Sequence, residues 1–287
     1  MKKSSLIIVA VIASLFIGGV LINSAFADRF AIFAQDNFGY EHYTSAARPV
    51  INAVYDTFRD YDWWERTLIA NTAPRDWFMD GSKVSGGNDH LLVEKYDVVY
   101  WIGHGGHVEN EEYGIEVFGF VMSDDSKLFP LTQMYLGDVS GNNIEFLILT
   151  VCQSMTQDLD VWRNTWRDYA GTGEGSVFGG IHQILGHHGN AHGGSSNAND
   201  YETFIMDGYA NDGVGNSWLD DIYQEHWNGT DDNCPVAYAG RNTLANATAM
   251  LNNETFSNRE SYTDIANPPF FQRRFHDGCD PVDADPM

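Results

Sequence analysis

Two residues 48 positions apart carry the chemistry of this chain. His104 closes the hydrophobic run Asp97-Val98-Val99-Tyr100-Trp101-Ile102-Gly103. Cys152 closes the run Phe146-Leu147-Ile148-Leu149-Thr150-Val151. A cysteine attacks as its thiolate, so it needs a base or a positive dipole close by. His104 is a base, and a helix starting after Cys152 would supply the dipole. Gly105 and Gly106 follow His104 and let main-chain N–H groups approach a carbonyl closely. Nucleophile, acid/base and oxyanion donors together make an acyl-transfer or peptidase site.

Other histidines compete for these roles. His107 could replace His104 as base. His182 falls inside a predicted strand and reads as a satisfied core residue. His187, His188 and His192 lie within six residues and could bind zinc with His104. Their spacing matches no standard zinc motif, so no metal ligand is assigned and no cofactor is expected. G-x-S-x-G, phosphate-loop and dinucleotide fingerprints do not occur.

The elements that must position these groups follow in order. Phe30 to Ala34 reads as a first strand. Ala47, Val50, Ile51, Val54, Tyr55 and Phe58 fall at helical spacing, so a helix is predicted over about 45–61. Residues 62–90 read as irregular and aromatic; core or loop packing explains them, with a carbohydrate platform as the alternative. The runs before His104 and Cys152 are continuous β-branched and apolar stretches, the pattern of strands covered on both faces. Residues 115–122 read as a short extra strand. A helix is expected over about 155–169, a strand over 177–185 leading into Gly186-His187-His188-Gly189, a helix over 217–227 and a late strand over 235–239. Alternating strands and helices predict a mostly parallel sheet with helices on both faces, a three-layer α/β sandwich. Ligands bind beyond the carboxyl ends of such strands, where His104, Cys152 and His187 all fall.

Hydrophobic strand, His-Gly, about fifty residues, hydrophobic strand, Cys: this arrangement resembles the caspase, legumain and gingipain class of cysteine peptidases, whose caspase members place the His about 50 residues before the Cys. The resemblance covers roughly residues 95–190. It implies a caspase–haemoglobinase-like sandwich, with His104 as the catalytic His, Gly105 as the oxyanion-hole Gly and Cys152 as the nucleophile. It also implies that His187, His188 and Gly189 line the substrate pocket. The family usually has Ala before its cysteine where this chain has Val151, and Thr150-Val151-Cys152-Gln153-Ser154 lacks the caspase Gly after the dyad. Trp166, the stretch 178–186 and Asp277-Gly278-Cys279 resemble an uncharacterised secreted bacterial and archaeal family with a caspase-like core, which implies fold alone.

Composition sets the setting. Lys2-Lys3, the apolar run from Leu6 to Ile22 and Ser24-Ala25-Phe26-Ala27 form a secretory signal, with cleavage expected after Ala27 and an uncleaved anchor as the alternative. Residues 28–287 then form a single domain. Its formal charge is -26, the full chain's -24 less the two lysines. Such a chain repels nucleic acid and anionic membrane surfaces, so neither is an expected partner. Of three cysteines, Cys234 and Cys279 lie in loop-like sequence and are the expected disulfide pair, which leaves Cys152 as the thiol. Three sequons, at Asn228, Asn246 and Asn253, mark surface for glycosylation.

The first expectation is therefore a secreted cysteine endopeptidase acting on peptide or protein substrates. A non-catalytic extracellular binding protein on the same scaffold and a zinc-dependent hydrolase using the 187–192 loop are the alternatives. Oligomeric state and substrate preference are not legible.

Overall fold

Every residue of Val98–Ile102 and of Phe146–Thr150 is buried, and both segments are central strands. A computed structural model describes residues 28–34, 44–70, 77–78, 85–110, 115–121, 128–130, 136, 144–155, 159–167, 180–189, 191, 194–210, 212–223, 234–265 and 268–276. In chain order its elements are β1 (Arg29–Ala34), α1 (Thr44–Asp60), β2 (Trp64–Ala70), α2 (Asp89–Leu92), β3 (Val98–Ile102), β4 (Gly105–Asn110), β5 (Ile115–Val121), β6 (Leu128–Pro130) and β7 (Phe146–Thr150). There follow α3 (Leu159–Trp162), continued by a π-turn over Arg163–Arg167, β8 (Gln183–His187), α4 (Ala198–Ala210), α5 (Val214–Ile222), β9 (Pro235–Arg241), α6 (Leu244–Asn253) and β10 (Phe270–Phe275).

The main sheet has seven strands in the order β10-β9-β8-β7-β3-β1-β2. Neighbours from β2 to β8 pair in parallel, β9 runs antiparallel to β8, and β10 antiparallel to β9. The fold is thus α/β with a mostly parallel sheet. The chain leaves β1 for β2 on one side and returns to β3 on the other. Such a reversal opens a crevice at the carboxyl ends of the strands.

Side chains alternate across this sheet with period two. Phe30, Ile32, Val98, Tyr100, Phe146 and Ile148 face a core completed by α1, α4, α5 and α6. Phe33, Val99, Trp101, Leu147, Leu149 and Val151 face the opposite core. Helices were expected over both faces. On this second face the described residues bring Trp162 of α3 and Trp166 of the π-turn that continues it, together with Phe118 of the antiparallel sheet β4-β5-β6 and Phe78. The Thr165 hydroxyl accepts the Phe118 N–H at 2.8 Å and donates to the Val161 carbonyl at 2.7 Å, tying the small sheet to the π-turn.

Several boundaries differ from expectation. Residues 64–70 form edge strand β2 rather than irregular chain. The helix expected over 217–227 runs over 214–222. The segment expected as one strand over 177–185 is β8, over 183–187. The predicted signal segment, Cys279 and the tail after residue 276 lie outside the described residues.

The amino-terminal edge of the sheet is closed by charge. Arg259, 2% exposed, faces Glu145 at 2.7 Å and Asp97 at 3.6 Å, pairs with Asp28, and donates to the Phe256 carbonyl at 2.8 Å. One cation thereby ties the starts of β1, β3 and β7. Beside it, both ring nitrogens of buried His182 face carboxylates, Nδ1 toward Glu254 and Nε2 toward Asp264 at 3.1 Å. Gln183 Nε2 donates to the second Glu254 oxygen at 2.8 Å. His182 is the satisfied core histidine its sequence suggested, although it precedes β8 rather than lying within it.

Candidate active site at the carboxyl edge of the sheet

The ladder between β3 and β7 runs from Val98↔Phe146 to Ile102↔Thr150, five parallel pairs at a constant offset of 48. His104 and Cys152 share that offset, each two residues beyond the last pair. Adjacent strands stand about 4.8 Å apart, so the two residues leave the sheet side by side. The strand ends are pinned below them. Gly103 donates its N–H to the Thr150 carbonyl at 3.3 Å, and the Tyr100 and Thr150 hydroxyls bond at 2.6 Å inside the core.

His104 and Cys152 are each partly exposed. Cys152 is a free thiol. Burial lowers the His104 pKa from its ordinary value, because the half-enclosed imidazole loses water that would solvate its charge. At neutral pH it is therefore a neutral base.

Gly105 opens β4 and packs against the chain just before Cys152. A β-carbon there would stand 2.3 Å from Val151 Cγ1 and 2.7 Å from Phe118 Cζ. The position admits only glycine while Val151 and Phe118 hold their places. The branched Val151 fills the room that Gly105 leaves, which accommodates the larger residue before the cysteine.

The expected helix after Cys152 is corrected. Residues 152–155 form turns, and helix α3 begins at Leu159. A helix dipole falls off within its first turn, so it does not act on Cys152. The turns instead lock onto the end of β8. Gln153, in the left-handed region at φ 55°, donates its N–H to the Gly189 carbonyl at 2.7 Å. Met155 N–H donates to the His187 carbonyl at 2.9 Å, and His187 N–H to the Ser154 hydroxyl at 2.9 Å. Trp166 Nε1 donates to the Ser154 carbonyl at 3.2 Å. Ala191 N–H donates to Cys152 Sγ at 3.4 Å.

The predicted pocket residues divide. Gly189 is partly exposed and borders the Cys152 turn through its carbonyl. His188 is buried, its N–H on the Cys234 carbonyl at 2.9 Å and its ring 6.3 Å from that of Phe275. His187 is wholly enclosed, its ring 5.2 Å from the Trp218 indole. His192 lies outside the described residues. Among the described residues no group of three or more His, Cys, Asp or Glu is placed to hold a metal. Sequence reasoning missed Gln153 and Ala191. Both act through main-chain geometry, which residue type does not announce.

No curated protein matches the chain. Residues 45–273, about four-fifths of its length, match the family described as a domain of unknown function, DUF6345, and the protein belongs to that family.

Proposed function

We propose that this is a secreted cysteine endopeptidase with a His104–Cys152 dyad on a caspase-like scaffold. One observation carries the reading. A neutral, half-buried histidine and a free, partly exposed cysteine share one register offset at the carboxyl edge of a mostly parallel sheet.

The chemistry follows from those groups. His104 takes the Cys152 thiol proton, and the sulfur attacks the scissile carbonyl carbon. The carbonyl oxygen becomes an oxyanion facing the N–H groups of Gly105 and Cys152. His104 then gives its proton to the leaving amine as the C–N bond breaks, leaving a thioester. Water, deprotonated by His104, attacks the thioester; the acid leaves and the thiol is restored. The segment from Gly189 onward borders the substrate, and enclosed His187 supports it from below. The mature chain begins at Asp28, carries a Cys234–Cys279 disulfide, and acts outside the cell on peptides or proteins rather than nucleic acid.

The test is cleavage of a mixed peptide library by the protein as secreted, read by mass spectrometry, with and without EDTA. Cleavage that survives EDTA and is lost in both Cys152→Ala and His104→Ala supports the reading. Cleavage lost to EDTA and restored by zinc points to a metallohydrolase. No cleavage, with Cys152 alkylated no faster than an ordinary thiol, leaves a binding protein on the same scaffold.

A further inference from the structure

The dyad leaves one requirement unmet. Among the described residues no helix starts at Cys152, and α3 begins at Leu159. His104 is held neutral by burial and so offers no standing positive charge. The charge that forms on the sulfur when its proton leaves needs a donor from elsewhere, and the structure places one. The Ala191 N–H points at Cys152 Sγ from 3.4 Å. A hydrogen bond to the charged form of a group favours that form. We propose that the Ala191 main-chain N–H steadies the negative charge that forms on the Cys152 sulfur as His104 takes its proton, and that the anchored residues 186–189 lead the chain to that donor.

This rests on the reading of Cys152 as a nucleophile, and it names the group that activates it. The segment is unusually well anchored for a loop entry. Its Gly189 and His187 carbonyls accept from Gln153 and Met155, and its His187 N–H is held by Ser154. The Gly186 carbonyl accepts the Trp218 indole N–H at 3.1 Å. A β-carbon on Gly186 would stand 2.5 Å from Ser154 Oγ and 2.7 Å from Met155 Cγ, so the two turns are in direct contact. Gln153 adopts its left-handed conformation where its N–H meets the Gly189 carbonyl. Three hydrogen bonds between two facing turns, and a fourth from Trp218, thus fix the turn bearing the sulfur against the one leading to its donor. A donor fixed before reaction needs no reorganisation when charge forms on the sulfur.

The experiment replaces Ala191 with lactic acid by nonsense suppression. This keeps the methyl group and exchanges the N–H for an ester oxygen. Ala191→Gly, which keeps the N–H, is the control. Alkylation of Cys152 by iodoacetamide is followed by mass spectrometry from pH 5 to 10, with folding checked by circular dichroism. One hydrogen bond to a charged group predicts alkylation roughly tenfold slower at neutral pH in the ester variant, converging with the control at the alkaline end. Should the ester variant fail to fold, Ser154→Ala, which frees the His187 N–H and loosens the segment, should slow neutral alkylation in the same sense. Profiles that superimpose at every pH overturn the proposal. Peptide cleavage separates this result from the reading it rests on. Cleavage by a protein whose alkylation ignores the ester sinks the Ala191 role alone. Slowed alkylation in a protein that cleaves nothing keeps that role and sinks the peptidase.

Discussion

Gly105 lies against Val151, the residue that precedes Cys152, so closely that a β-carbon on the glycine would stand 2.3 Å from Val151 Cγ1. Carbon atoms do not survive at that separation. Gly105→Ala must therefore displace the start of β4 or the strand end that carries the sulfur. The expected cost is about 1–3 kcal/mol of stability by overpacking, with slower alkylation of Cys152. Val151→Ala removes the clashing methyl and should return part of both losses in the double variant. Urea unfolding of the four members of this cycle measures the coupling, expected to exceed about 0.5 kcal/mol for residues in contact. Strictly additive losses would show that the two positions do not meet.

The environment of His104 sets a pH dependence. Burial lowers its pKa, so the imidazole stays neutral below its ordinary value of about 6.5. The base form then persists into mildly acidic solution. The acid limb of kcat/KM for peptide cleavage is expected to fall below pH 6.5. His104→Ala should remove that limb and reduce kcat/KM by about 10²–10⁴, the usual range for a positioned acid–base group. An acid limb centred above 6.5 in the native protein would count against His104 as the base.

The parts of this fold that sequence makes legible are those with one dominant force. β3 and β7 are buried on both faces, so they appear as unbroken apolar runs, and the constant offset between them is already the His104-to-Cys152 spacing. α1 shows its buried Val50, Val54 and Phe58 at helical intervals. β2 was hidden because an edge strand can carry Glu65, Arg66 and Thr67 in sequence. Met155, Trp162 and Trp166 are apolar at helix-like spacing, which suggests a helix starting directly after Cys152. All three are core residues, yet Met155 is reached through turns bonded to β8 rather than through a helix. Ala191 could not be foreseen, since every residue but proline carries the same N–H.

His182 predicts a loss of stability in alkali. The buried ring loses hydration, which lowers its pKa, but facing Glu254 and Asp264 raise it more, to about 9 overall. The folded value exceeds the unfolded value of about 6.5. The resulting stabilisation is complete below the unfolded value and disappears as pH rises through the folded one. It amounts to something on the order of 3 kcal/mol. Thermal unfolding followed between pH 6 and 10 should show Tm falling across that interval, and the fall should be much smaller in His182→Gln. A native Tm that is flat over this interval would mean that the ring is not held as imidazolium.

Arg259 predicts the opposite response to acid. Its guanidinium is enclosed among Asp28, Asp97 and Glu145 and lies 5.0 Å from the Trp63 ring centroid. Burial raises the Asp97 pKa even with this cation lowering it, and Arg29, 3.8 Å away, gives only part of the compensation. Arg259→Met leaves buried Glu145 and partly buried Asp97 and Asp28 without their main cation, which puts the cost toward the lower end of the roughly 3–5 kcal/mol typical of a broken buried pair. With the cation gone, the Asp97 pKa moves higher still, so falling pH neutralises the uncompensated charge more readily than in the native protein. The Tm deficit of Arg259→Met relative to the native protein should therefore shrink between about pH 7.5 and 5. Arg259→Lys keeps a charge but cannot span three strands with a planar fork, and should fall between the two. A deficit that is the same at both pH values would assign the role of Arg259 to packing against Trp63 rather than to the three carboxylates.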